Sequence, residues 1–234
     1  SGWSYQGWRE RFYPPELPQR EWLEYFARHF NTVEINMTFY RFPKPEMLQG
    51  WRARTPEGFA FTLKANRLIT HRKKLKDVQG DVRYFDILAE NLKEKLGCIL
   101  YQLPPSLACD HKLLEDFLQT LPPSRKNVIE FRNETWYNDK TYDLLRRHGV
   151  TFCTVSSTRV PATVVETSGT AYFRFHGLVG GYRYRYSDEE LEHWARVIAS
   201  TSADEAYVYF NNDYNAYAVE NCRTLARTLR AIRE

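Results

Sequence analysis

The chain has 234 residues, 43% of them hydrophobic and 26% charged, with a formal net charge of +4. That balance is ordinary for a soluble globular protein, supplies a core, and permits a polyanionic partner without demanding one. No run of about 18 apolar residues occurs, so no transmembrane helix and no membrane association are expected.

The first residues, Ser1-Gly2-Trp3-Ser4, show no positive region followed by an apolar one, so no signal peptide is visible. The cysteines Cys98, Cys109, Cys153 and Cys222 form no close pair and no zinc-type spacing. Both features are read as marks of a reduced, cytoplasmic protein. Asn36-Met37-Thr38 and Asn133-Glu134-Thr135 match the glycosylation pattern and are read as chance matches.

Along the chain, a first strand is expected at Gly2–Tyr5. A helix follows over Glu21–Phe30, where Trp22, Leu23, Phe26, Ala27 and Phe30 share a face. Strands are expected at Thr32–Asn36, Phe59–Ala65 and Cys98–Leu103. The segment Asp110–Leu121 carries Leu113, Leu114, Phe117, Leu118 and Leu121 at helical spacing. Further strands are expected at Asn127–Arg132, Val150–Val155, Ala171–His176 and Glu205–Asn211. Between the last two, Ser187-Asp188-Glu189-Glu190 reads as a capping box opening the helix Leu191–Ala199. A final helix is expected over Ala216–Ile232. Strand and helix alternate without a linker or repeat, which implies a parallel sheet with helices outside. The expected fold is therefore a single α/β domain over residues 1–234, a (β/α)8 TIM-barrel-like fold, whose usual size is roughly 250 residues. An open doubly wound sheet is the alternative, but Gly177, Gly180 and Gly181 lack its phosphate-binding spacing.

The strands end in polar residues two apart: Glu34 and Asn36; Lys64, with Asn66 just beyond; Gln102; Glu130 and Arg132; Arg174 and His176; Tyr209 and Asn211. Residues two apart on a strand share a face, so a barrel would gather these groups at the C-terminal end of its lumen, where active sites of this fold lie. A buried ion network that merely fills the lumen is the competing reading, and buried charge makes poor filling.

Two loops add to the pattern. Arg67, His71, Arg72, Lys73, Lys74 and Lys76 follow the second of the seven strands, and Tyr182, Tyr184 and Tyr186 interleave with Arg183 and Arg185 after the sixth. Basic residues beside aromatics suit phosphate contacts combined with stacking, although solvated charged loops look similar. Asn211, Asn212 and Asp213 supply hydrogen-bonding groups after the last strand, or cap the helix that follows.

The stretches "SGWSYQGWRERFYP", "FNTVEINMTFYRFP", "TPEGFAFTLKANRLITH", "LGCILYQLPPS", "VIEFRNETWY", "FRFHG" and "YVYFNND" span nearly the whole chain in order. Together they resemble the YecE-like family, catalogued as domain of unknown function 72. The resemblance implies a TIM barrel with a polar pocket and leaves the activity open. Members usually carry a few residues ahead of Ser-Gly-Trp-Ser that form the first strand. The usual Ala-Asp-like end of the strand Val150–Val155 reads Val155-Ser156-Ser157 here, so no carboxylate carries over to that position.

Three functions compete. The leading expectation is hydrolysis of a phosphate-containing substrate, nucleic acid first among them. Glu34, Glu130, Lys64, Arg132 and His176 would be catalytic. Asn36, Tyr40, His71, Gln102, Trp136, Arg174, Tyr184, Arg185, Asn211, Asn212 and Asp213 would bind substrate. His29, His111, His148 and His193 fall away from this face, so a trinuclear metal site is not expected, whereas one divalent cation on Glu34 and Glu130 is compatible with the pattern. A glycoside hydrolase would use Glu34 and Glu130 as its carboxylate pair, with Trp3, Trp8, Trp136 and Tyr40 stacking on sugars. A non-catalytic barrel would clamp a small anion with Lys64, Arg132, Arg174 and His176.

Overall fold

β-branched and aromatic runs set the strands of the computed structural model, which describes residues 1–233. They are β1 (Thr32–Ile35), β2 (Ala60–Lys64), β3 (Leu96–Gln102), β4 (Lys126–Glu130), β5 (Thr151–Ser156), β6 (Thr170–Phe175) and β7 (Glu205–Phe210). They form one seven-stranded sheet in the order β1-β2-β3-β4-β5-β6-β7, parallel throughout, with pairs such as Val33 with Phe61 and Gln102 with Glu130. Parallel neighbours need crossovers. These carry α1 (Trp22–Ala27), α2 (Met37–Tyr40), α3 (Pro45–Ala53), α4 (Gln79–Ala89), α5 (His111–Leu118), α6 (Asp139–Arg147), α7 (Asp188–Ala199) and α8 (Tyr217–Arg233).

The alternation of side chains separates two cores. Leu23 and Phe26 of α1, Leu48 of α3, Phe85 of α4 and Leu191 of α7 pack with outward strand residues such as Val33, Ile35 and Phe173. The inward set is Cys98, Leu100, Val128, Cys153, Val155, Tyr172, Tyr207 and Tyr209. Inward parity on β1, β2, β4 and β6 also belongs to Glu34, Lys64, Glu130 and Arg174, so the sheet that builds the lumen delivers the polar set to its upper end. Four free cysteines are present, and burial pushes the Cys98 thiol up to about 12. Ser187 caps α7 with both bonds of the capping box, to the Glu190 amide and from the Glu190 side chain.

Gly2–Tyr5 is not a strand. Gly2 sits at φ +72°, a left-handed conformation that ends extended pairing, and Gln6–Trp8 then forms a 3₁₀ turn. The segment still closes the barrel at one level: Gly2 N donates to Glu34 O at 2.8 Å and Ser1 N to Phe210 O. Below that rung an apolar groove lined by Phe30, Val33, Val208, Val219 and Leu225 separates β1 from β7. The result is a nearly closed barrel of seven strands. Among the described residues no helix is long and apolar enough to cross a membrane.

Candidate functional site

Arg174, at the upper end of β6 and only 2% exposed, organises the polar layer. Its Nε and Nη2 donate to the two oxygens of Glu34 at 2.9 and 2.6 Å, and its Nη1 pairs with Glu130. Tyr172, two residues back on the same strand, donates its hydroxyl to Glu34 at 2.6 Å. Glu130 also accepts from Gln102 at 3.0 Å and from Arg132. Both carboxylates are fully buried. Burial is the largest influence on each and works against ionisation, but the Arg174 charge leads the opposing influences. The outcome is a Glu34 carboxyl below its ordinary range and a Glu130 carboxyl well below it. Burial lowers Arg174 too, and the two glutamates outweigh it and raise its pKa well above normal. Each glutamate is thus held as a charged, hydrogen-bonded counter-ion.

Above this layer lie groups with access to solvent. Arg132 bonds His176 Nε2 at 2.8 Å, and Arg174 Nη1 is 3.2 Å from the same nitrogen. The same nitrogen lies 3.3 Å from Glu130 Oε1; the shorter Arg132 contact favours Nε2 as an acceptor, because arginine only donates. Burial, then the Arg174 charge, pushes His176 down to about 4. Lys64, at the end of β2, is 9% exposed. Its Nζ makes no hydrogen bond or ion pair among the described residues and lies 4.3 Å from the Phe39 ring centre. Burial and the Arg174 charge bring it down to about 8. His71 is lowered by burial first and then by Lys64 and Arg132, which places the three groups within one electrostatic neighbourhood.

Local structure explains how these side chains are held. Thr38 at the start of α2 donates to the Lys64 carbonyl at 2.7 Å, tying the ends of β1 and β2 together. Asn66 donates to Thr38 O at 3.0 Å and accepts from Leu68 N at 3.0 Å. That second bond starts the π-helical turn Leu68–Arg72, which carries His71 onto Phe39 edge-on at 4.8 Å. Asn36 donates to Ser1 Oγ at 2.9 Å, and Asn211 Oδ1 lies 3.4 Å from Arg174. The buried Nδ2 of Asn211 has no partner.

The rim carries exposed aromatic residues beside arginines. Tyr40 is 65% exposed, with the Arg67 guanidinium 5.9 Å from its ring centre. Across the chain's last loops, Arg183 lies 5.6 Å from Tyr182 and 5.4 Å from Tyr214, both exposed.

Comparison with known proteins now fits this geometry to a family. A family model described as "Protein of unknown function DUF72" matches residues 1–234. The chain belongs to the DUF72 family. A crystal structure of a DUF72 family protein from Thermotoga maritima superposes with a TM-score of 0.87 at 32% identity, covering 100% of this chain and 97% of that one. A second, from Enterococcus faecalis, shares the fold at TM-score 0.80 and 22% identity over 89% of this chain and 88% of its own. The protein YunF of Bacillus subtilis is 24% identical over 98% of this chain and 93% of its own length.

In this DUF72 chain, Glu34, Lys64, Gln102, Glu130, Arg132, Arg174, His176 and Asn211 converge as strand parity requires, with His71, Asn36 and Tyr40 beside them. Five other residues are placed elsewhere. Trp136 is fully buried, stacked 4.9 Å from Phe131 with its Nε1 on Leu107 O, so it offers no stacking face. Tyr184 donates to Glu190 at 2.6 Å, and Arg185 pairs with Glu220 of α8 at 3.0 Å; both are turned toward the outer helices. Asn212 is fully buried and donates to Tyr184 O and Asn221 Oδ1, pinning the loop after β6 to α8. Asp213 accepts Trp8 Nε1 on its carbonyl, and burial raises its carboxyl. Trp8 is itself buried by that contact, and Trp3 packs edge-on against Trp51 at 5.2 Å. Among the described residues no three His, Cys, Asp or Glu side chains gather as a metal cage. Tyr172 escaped the sequence reading although its parity matches Arg174 and His176; an apolar context hid it. Phe39, the ring beneath Lys64, carried no sequence signal beyond its place in an aromatic run.

Proposed function

We propose that the upper end of the barrel binds the phosphate group of its substrate and hydrolyses a phosphoester there, with single-stranded nucleic acid the leading substrate. One observation carries this reading: three cations, Arg174, Arg132 and Lys64, meet two buried carboxylates, Glu34 and Glu130, which are paired with the two arginines, so one positive charge is left over and Lys64 has no ion pair among the described residues. Positive charge that the buried carboxylates do not cancel favours an entering anion. The rim pairs Tyr40–Arg67 and Tyr182–Arg183–Tyr214 suit flanking bases, which stack on aromatic and guanidinium planes at about 1–3 kcal/mol per base.

His176 supplies the proton acceptor. In the free protein its Nε2 lies 2.8 Å from Arg132 and 3.3 Å from Glu130, and this reading takes Arg132 as the donor to its lone pair. A phosphate that draws Arg132 away would release that lone pair to take a proton from the attacking water, while Arg132 and Lys64 hold the charge developing on the phosphoryl oxygens. Glu34 and Glu130 then act through the groups they orient. The sugar-enzyme reading needs one carboxylic acid kept protonated near neutrality, and both carboxyls are shifted the opposite way.

Fluorescence anisotropy with a labelled single-stranded oligonucleotide tests the proposal. Binding should weaken steeply with salt, and Arg132→Gln should lower the slope by about one. His176→Gln should spare binding and abolish cleavage. Binding that ignores salt and Arg132 would refute the phosphate site. Cleavage that survives in His176→Gln would refute the assignment of the base.

A further inference from the structure

Lys64 has properties that phosphate binding alone does not require. Lysines that only contact phosphate are usually solvated or paired, whereas this one is nine-tenths buried with its amine tied to nothing. The groups around it are Arg174 and Arg132, which disfavour its charge, and Glu130 and Glu34, which favour it but are committed to Arg174. His71 faces it from the turn after β2, and Phe39 from α2 covers it with an apolar ring. The Thr38 bond fixes its backbone, and the amine packs over the Phe39 ring with no hydrogen bond of its own among the described residues.

We propose that Lys64 is a nucleophile that forms an imine with the aldehyde carbon of a phosphorylated sugar, either a free sugar phosphate or the open-chain sugar of an abasic site in DNA. The proposal rests on the phosphate-site reading above and names the substrate class for it. In the step, the uncharged Nζ adds its lone pair to the carbonyl carbon and a C–N bond forms. The C=O π pair moves to oxygen, which takes up a proton, and the nitrogen loses one. The hydroxyl then takes up a second proton from solvent and leaves as water as the nitrogen lone pair forms the C=N bond, giving the iminium. Arg132 holds the phosphate. A lysine brought to about 8 has a substantial uncharged fraction near neutrality, unlike an ordinary amine at 10.5.

Reductive trapping reads this directly. The full chain is incubated with deoxyribose 5-phosphate, with deoxyribose, or with a single-stranded oligonucleotide containing one abasic site. Cyanoborohydride is present to deliver hydride to the imine carbon and fix it as a secondary amine. Peptide mapping should place the adduct on Lys64 ahead of exposed lysines such as Lys140. Adduct formation should level off near pH 8 and slow when inorganic phosphate is added. Lys64→Met, which deletes an unbonded amine, should fold normally and lose the adduct. Trapping by the sugar phosphate points to a small-molecule source, and trapping by the oligonucleotide alone points to the nucleic acid; both support the imine. Adducts spread evenly over surface lysines, or none on Lys64, would overturn it. If Lys64 stays unmodified while oligonucleotide binding remains salt-dependent, only this inference falls. If deoxyribose reacts at Lys64 as fast as its phosphate, the phosphate requirement falls instead.

Discussion

Arg174 decides the chemistry at the scale of single residues. It bridges two buried carboxylates, Glu34 and Glu130, the second of which Arg132 also pairs, and removing one partner of a buried ion network costs about 3–5 kcal/mol. Arg174→Met should therefore unfold at clearly lower urea, whereas the triple change Glu34→Gln, Arg174→Met, Glu130→Gln should recover most of that loss. Denaturation midpoints of the two variants check this. His176 makes a second, pH-dependent contribution. Its folded pKa, about 4, lies below its unfolded value of 6.5. The unfolded state therefore binds the proton first, and stability falls as pH drops through that window. Between pH 7 and 5 the loss is about 2 kcal/mol by linkage. Urea titrations at the two pH values should show His176→Gln losing correspondingly less. The depressed carboxyls of Glu34 and Glu130 work at lower pH: their contribution is complete above the ordinary carboxyl range and is lost as pH falls through their folded values.

At the scale of elements, periodicity made the seven strands legible and with them α1, α5, α7 and α8, whereas α2, α3, α4 and α6 were not read from the sequence. The polar strand ends were equally readable, because two residues' spacing on a strand fixes a shared face whatever the tertiary context. Gly2–Tyr5 was misread because a β-like composition does not reveal a left-handed glycine or the turn that follows. Trp136, Tyr184, Arg185, Asn212 and Asp213 lie in loops beyond the strands, where no period fixes direction, and they turned out to anchor the loops. The loop after β6 shows how tight that anchoring is. Gly177 sits at φ +80°, and a Cβ there would lie 2.0 Å from Gly181 O and 2.7 Å from Tyr184 Cβ. Gly177→Ala must displace the segment that presents Tyr182 and Arg183. A cost of at least about 1–3 kcal/mol follows from the backbone conformation alone. Thermal unfolding should report that loss, and anisotropy should show weaker oligonucleotide binding.

The whole molecule is a nearly closed barrel whose ionic layer of Glu34, Glu130 and Arg174 caps an apolar lumen, with Lys64, Arg132 and His176 at the same end. Strand parity indicated the strand-end residues that meet there, though not the loop residues. It could not show which carboxylates would be saturated and which cations left over, because that depends on distances of a few tenths of an ångström around Arg174. The central claim is that the positive charge left over where Arg174, Arg132 and Lys64 meet Glu34 and Glu130 defines an anion site at the upper end of the barrel, between Lys64 and Arg132. Crystals grown with tungstate, a heavy analogue of phosphate, test it most directly through anomalous scattering. A tungstate between Lys64 and Arg132, lost in Arg132→Gln, is the predicted result. Tungstate confined to the Lys73–Lys76 loop, or absent from the barrel opening while bound elsewhere, would contradict it.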